Sequence, residues 1–113
     1  MKHKTQLKRC REHTGLLQQD VSYLFQLDPA LYNRYERNRR TPTLEVILGY
    51  HILFGSSLEE LFPHQYRLVK ERITARSKKL IEQLKAEDTQ RGKYRLSYLT
   101  SFVNGLHNKR YDK

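Results

Sequence analysis

The sequence has a single cysteine, Cys10, no tryptophan and only three prolines in 113 residues. One thiol cannot build an internal disulfide framework or a multi-cysteine zinc site. His3, His13, His51, His64 and His107 do not replace it. They are scattered, and Cys10 with His13, three apart, lacks partner ligands. No apolar run approaches the roughly 18 residues a membrane span needs. The basic start Met1-Lys2-His3-Lys4 is followed by no apolar stretch of the kind a signal peptide carries. A glycine-rich phosphate cradle and a Ser/His/Asp order are also missing. The expectation is a cytoplasmic protein with no enzymatic activity, no metal and no cofactor.

Acidic groups are scarce relative to basic ones. Lys and Arg number 22 against 12 Asp and Glu, a formal net charge of +10. That balance favours a polyanionic partner, either nucleic acid or an anionic membrane surface. The charge is uneven. Residues 1–40 carry nine basic and four acidic groups, residues 41–63 none and three, and residues 64–113 thirteen and five. Two basic regions flank an acidic waist. With 37% hydrophobic residues, any core is small.

Apolar spacing predicts an all-α protein with helices near 6–14, 17–25, 29–37, 43–54, 57–62, 65–87 and 94–104. Leu7 and Cys10 give the first a narrow apolar stripe, stopped at Gly15. The second turns Val21, Leu24 and Phe25 one way and Gln18, Gln19 and Ser22 the other. Asp28-Pro29 is a strong start for the third, since Asp caps free N–H groups and Pro loses nothing at the first position. Tyr32 and Tyr35 face inward there, and Ala30, Asn33, Arg34 and Arg37 face outward. Asn38 suits a left-handed stop before a loop, Arg39 to Pro42. Thr43 caps the fourth helix, with Leu44, Ile47, Leu48 and His51 or Phe54 on its inner face. Ser57 and Glu60 have capping-box spacing for a fifth that ends at Pro63. The tyrosines at helical spacing, Tyr23, Tyr32, Tyr35 and Tyr50, and the thiol of Cys10 are expected in the core.

Two short helices around Gln26-Leu27, the second with a polar outer face, can present that second helix to a major groove. From Leu7 to Phe62 the sequence resembles the Cro/C1-type (XRE, lambda-repressor-like) helix-turn-helix family. Its carriers are Leu7–Glu12, Gly15–Val21, Asn33–Arg37, Arg40–Glu45 and Phe54–Phe62, in that order and spacing. The resemblance implies a five-helix DNA-binding domain over residues 5–63 acting as a transcriptional regulator, most often a bacterial or phage repressor. It implies a phosphate contact by Gln18, with Gln19 beside it, and a structural pair of Arg11 with Glu36. Where the family often carries base-reading polar residues, this sequence has Pro29, Ala30 and Leu31, which can read only a thymine methyl or DNA shape. Asn33 and Arg34 remain as base readers, suited to adenine and guanine. Arg37, Arg39 and Arg40, with Asn38 among them, focus phosphate attraction where the family's loop follows the backbone.

Residues 64–113 form a basic helical extension. Its long helix carries Tyr66, Val69, Ile73, Leu80, Ile81 and Leu84, interrupted at Arg76-Ser77, and Asp88–Gly92 breaks the pattern before a shorter helix. Helices this isolated need a partner surface. They can pack on the DNA-binding domain, on each other as a hairpin, or across a dimer interface; a homodimer through Val69, Ile73, Leu80 and Leu84 is expected, with a separate protein partner, as in an antitoxin, the alternative. A protein-interaction module that has lost base readout, or a peripheral membrane helix at 65–87, are further readings.

Overall fold

The computed structural model describes residues 5–87 and 89–105. Among these, seven helices and no strand occur, in the order α1 (Leu7–Glu12), α2 (Gln18–Phe25), α3 (Pro29–Glu36), α4 (Leu44–Phe54), α5 (Leu58–Leu61), α6 (Pro63–Ala86) and α7 (Gln90–Val103). Asp88 and residues 106–113 lie outside the described residues. The chain divides into two compact units between Arg67 and Leu68.

In the first unit local chemistry sets most boundaries. The carboxylate of Asp28 accepts from the Leu31 N–H at 3.3 Å, with Pro29 at the first helical position. Thr43 caps α4 through the Val46 N–H. Ser57 and Glu60 exchange reciprocal hydrogen bonds of 3.1 and 2.8 Å. Asn38 stops α3 at φ +60°, letting the Arg39 N–H reach back to the Arg34 carbonyl at 2.9 Å. The turn after α2 repeats this geometry with an unusual residue. Gln26 holds φ +55° while the Leu27 N–H donates to Ser22 O at 2.9 Å. A glutamine in the left-handed region carries a steric cost that glycine avoids. Gln26→Gly is therefore expected to raise stability by about 1 kcal/mol. Chemical denaturation checks this, and an unchanged or lowered midpoint would contradict it.

The core of this unit consists of Leu7, Val21, Tyr32, Tyr35, Val46, Tyr50 and Leu61, with Cys10, Leu16, Phe25, Ile47, Phe54 and Phe62 packed against it. Phe25 sets its ring edge-on to Tyr32 and Tyr50, at centroid distances of 6.4 and 5.7 Å. Its approach to α4 requires glycine, because a Cβ on Gly49 would stand 2.8 Å from Phe25 Cζ. Four residues expected inside lie outside: Tyr23, Leu24, Leu44 and Leu48 are exposed. The sequence of α4 is apolar on every side, so spacing alone does not choose its inner face; the core takes the side of Val46 and Tyr50. His51 is likewise exposed, its Nδ1 3.0 Å from Ser56 O.

In the C-terminal region three boundaries differ from expectation. Pro63 opens α6 instead of only ending α5, because a helix's first position needs no N–H. No break occurs at Arg76-Ser77; Ser77 is buried and the helix runs through it. α7 begins at Gln90, four residues before the expected start, because Thr89 caps it by accepting from the Gly92 N–H at 2.9 Å. Gly92 thus serves the first turn of α7 rather than breaking the pattern. Ser77 and Leu84 on α6 and Gly92 on α7 are buried, and Leu80, Ile81, Leu96, Leu99, Phe102 and Val103 are half-buried.

Candidate nucleic-acid interface

The helix α3 divides cleanly into two faces. Tyr32, Tyr35 and Glu36 are buried, while Pro29, Ala30, Arg34 and Arg37 are exposed and Asn33 is half-buried. Ala30, Asn33, Arg34 and Arg37 follow the spacing of one helical stripe. The stripe continues into the loop, where Arg39 and Arg40 are exposed. Between residues 29 and 43 the only acid is Glu36, and it is turned into the core. Four arginines therefore face outward on this segment with no exposed carboxylate of its own to neutralise them.

Behind the stripe a buried polar network fixes α3. Arg11 grips Glu36 with two hydrogen bonds, Nε to Oε2 at 2.6 Å and Nη2 to Oε1 at 3.1 Å, and its Nη1 donates to Leu16 O at 2.8 Å. Tyr32, one turn before Glu36, donates to Oε2 at 2.6 Å. Its single proton is committed to the carboxylate, so the one proton of the Tyr50 hydroxyl is shared between the Tyr32 oxygen and Leu7 O, the latter at 3.2 Å. Burial pushes the Glu36 carboxyl up, but the hydrogen bonds from Arg11, Tyr32 and Gln18 prevail and hold it below its ordinary value. The Glu36 hydrogen bond likewise raises Arg11. Burial keeps both tyrosine hydroxyls protonated far above the usual tyrosine range.

The network reaches the surface through α2. The Gln18 Nε2 donates to Glu36 Oε1 at 2.8 Å, and Gln18 Oε1 accepts from Asn33 Nδ2 at 3.1 Å. Gln18 and Asn33 are thus joined to each other and to the Arg11–Glu36 pair, while Gln19 is exposed beside them. Asn38 has its side chain engaged as well, its Oδ1 accepting from the Thr5 N–H at 2.9 Å. Sequence reading did not find the hydroxyl links of Tyr32 and Tyr50. The four-residue step from Tyr32 to Glu36 on one helix was the available signal.

A model of the helix-turn-helix family, Cro/C1 type, matches residues 7–61. Residues 7–61 are a Cro/C1-type helix-turn-helix domain. No match was found to a curated protein or to a solved structure. In this helix-turn-helix domain α2 and α3 form the pair, Gln26–Asp28 the turn, and the family is one of DNA-binding regulators. Of the four residues expected to form a dimer seam, none lies in the matched segment. Leu84 is buried and Leu80 half-buried, whereas Val69 and Ile73 are exposed, so the four do not share one open surface. No helix among the described residues is long and apolar enough to cross a membrane.

Proposed function

We propose that this chain is a sequence-specific transcriptional regulator, a repressor of bacterial or phage origin, acting in the cytoplasm as a dimer on double-stranded DNA. In this reading α3 enters the major groove. The observation that carries it is the outward stripe of α3 and its loop, with Arg34, Arg37, Arg39 and Arg40 and no exposed acid. The three loop-side arginines neutralise phosphates, and Gln18 and Gln19 meet the backbone from the start of α2. Pro29 and Ala30 offer the groove only shape and apolar contact.

Direct readout then falls to Arg34, exposed in mid-stripe, and to Asn33, whose amide is oriented by Gln18. Arg34→Ala is expected to cost about 1–3 kcal/mol at the best site and to relax preference at one or two base pairs. Competition titrations with duplexes altered one base pair at a time measure this. An unchanged preference profile would move specificity away from Arg34.

A further inference from the structure

Most of the excess positive charge lies outside the helix-turn-helix domain. Residues 64–113 carry thirteen basic and five acidic groups, and the contacts assigned to α3 and its loop use none of them. On α6 these charges are sorted by face. Arg67, Glu71, Lys78, Glu82 and Lys85 follow at steps of four, seven, four and three, so acids and bases mix along one side. Ser77 and Leu84 fall on a second side and are buried. Arg72, Arg76, Lys79 and Gln83 hold the third, at steps of four, three and four, and all are exposed. That side carries three positive charges and no negative one. Glu82, three residues beyond Lys79, accepts from Lys85 instead, and Glu87 stands 4.0 Å from Arg95. Among the described residues no carboxylate forms an ion pair with Arg72, Arg76 or Lys79.

Such a row works against its own helix. Arg72 repels Arg76 four residues on, and Arg76 repels Lys79 three residues on. A polyanion laid along the row relieves that repulsion. The row is about 10 Å long, at about 1.5 Å per residue. A duplex carries one negative charge per about 1.7 Å of its axis, so several phosphates fall within that length. α7 adds Arg91, Lys93 and Arg95 without an acid of its own, which keeps the local field positive. The rest of the chain decides which polyanion is at hand. Residues 7–61 belong to a family of DNA-binding regulators, and a second cationic surface on the same chain meets the same duplex at high effective concentration.

We infer that the Arg72–Arg76–Lys79 face of α6 binds the phosphate backbone of duplex DNA, a second contact surface outside the helix-turn-helix domain that adds affinity without sequence preference. Its ligand rests on the DNA-binding reading; its geometry does not depend on α3.

Anisotropy titrations of the full chain on random duplex, over a salt series, test it with two triple variants. One is Arg72→Gln with Arg76→Gln and Lys79→Gln; the other is Arg67→Gln with Lys78→Gln and Lys85→Gln. Both lose the same net charge, so only the face differs. All six side chains are exposed and glutamine is a good helix former, so both should keep the wild-type helical circular dichroism. The row variant should lower the slope of log affinity against log salt by about 2.7, and Arg76→Gln alone by about 0.9. The mixed-face variant should lower it by less than about 1. Equal losses in the two triple variants would reduce the row to net charge and overturn the proposal. So would a wild-type slope in the row variant, whether or not it had lost binding to phosphatidylserine vesicles. Selection from randomised duplexes separates this contact from readout by α3, because the row variant should still enrich the wild-type consensus. A wild type that enriches nothing, beside a row variant that loses slope, would remove the α3 reading and keep this contact. An intact consensus with an unchanged slope in the row variant would remove this contact alone.

Discussion

Glu36→Ala is expected to remove about 3–5 kcal/mol of folding stability, a large share of what a domain of this size possesses. The substitution deletes the acceptor of four hydrogen bonds at once, from Arg11 twice, Tyr32 and Gln18. It also leaves the Arg11 guanidinium buried with only the Leu16 carbonyl as partner. Glu36→Gln should cost less, because the amide oxygen still accepts while the charge is lost. The two variants also separate in their pH dependence. The folded state holds the Glu36 carboxyl below its ordinary value of 4.5. That stabilisation is full above the unfolded value and disappears as pH falls through the folded one. Wild type should therefore lose its advantage over Glu36→Gln on acidification below about pH 4.5. Denaturant titrations at pH 7 and along an acid series measure both effects. A loss under 1 kcal/mol for Glu36→Ala at pH 7 would show that the network does not hold α3 in place.

Replacing Arg37, Arg39 and Arg40 together by alanine is expected to lower the slope of log affinity against log salt by about 2.7. Each phosphate contact releases counterions worth about 0.9 of slope, so the wild-type advantage should shrink about 40-fold between 50 and 200 mM salt. The loss should be the same on specific and random duplexes, because phosphates carry no sequence. Stability should fall far less than in Glu36→Ala, since all three side chains are exposed whereas Glu36 is buried. Fluorescence anisotropy over a salt series gives the slopes. An unaltered slope in the triple variant would remove this loop from the interface.

What was legible in the sequence was mostly local. Asp28-Pro29, Thr43 and the Ser57–Glu60 pair announce helix starts because a cap and its target lie three residues apart. The outward stripe of α3 follows from its two inward tyrosines. What was not legible depended on contacts distant in sequence or on ambiguous punctuation. Pro63 reads equally as the end of one helix and the first residue of the next. Gln26 gives no sign of a left-handed turn, since glutamine is not a usual residue for it. The inner face of α4 could not be chosen from a helix apolar all round. The same ambiguity hid the exposure of Leu44 and Leu48. Arg11 with Glu36 came from family resemblance, whereas their extension to Tyr32, Tyr50, Gln18 and Asn33 needed the packed helices to bring residues up to 43 apart together.

Selection from a pool of randomised duplexes by the purified full-length chain tests the central claim most directly. The account predicts enrichment of a consensus that binds at least about a thousandfold more tightly than random duplex. Arg34→Ala should blur that consensus at one or two positions, and the loop variants should leave its sequence intact while reducing yield at higher salt. Rounds of selection that enrich no sequence, with wild type and Arg34→Ala recovering the same unbiased pool, would contradict the account: α3 would then not be reading DNA.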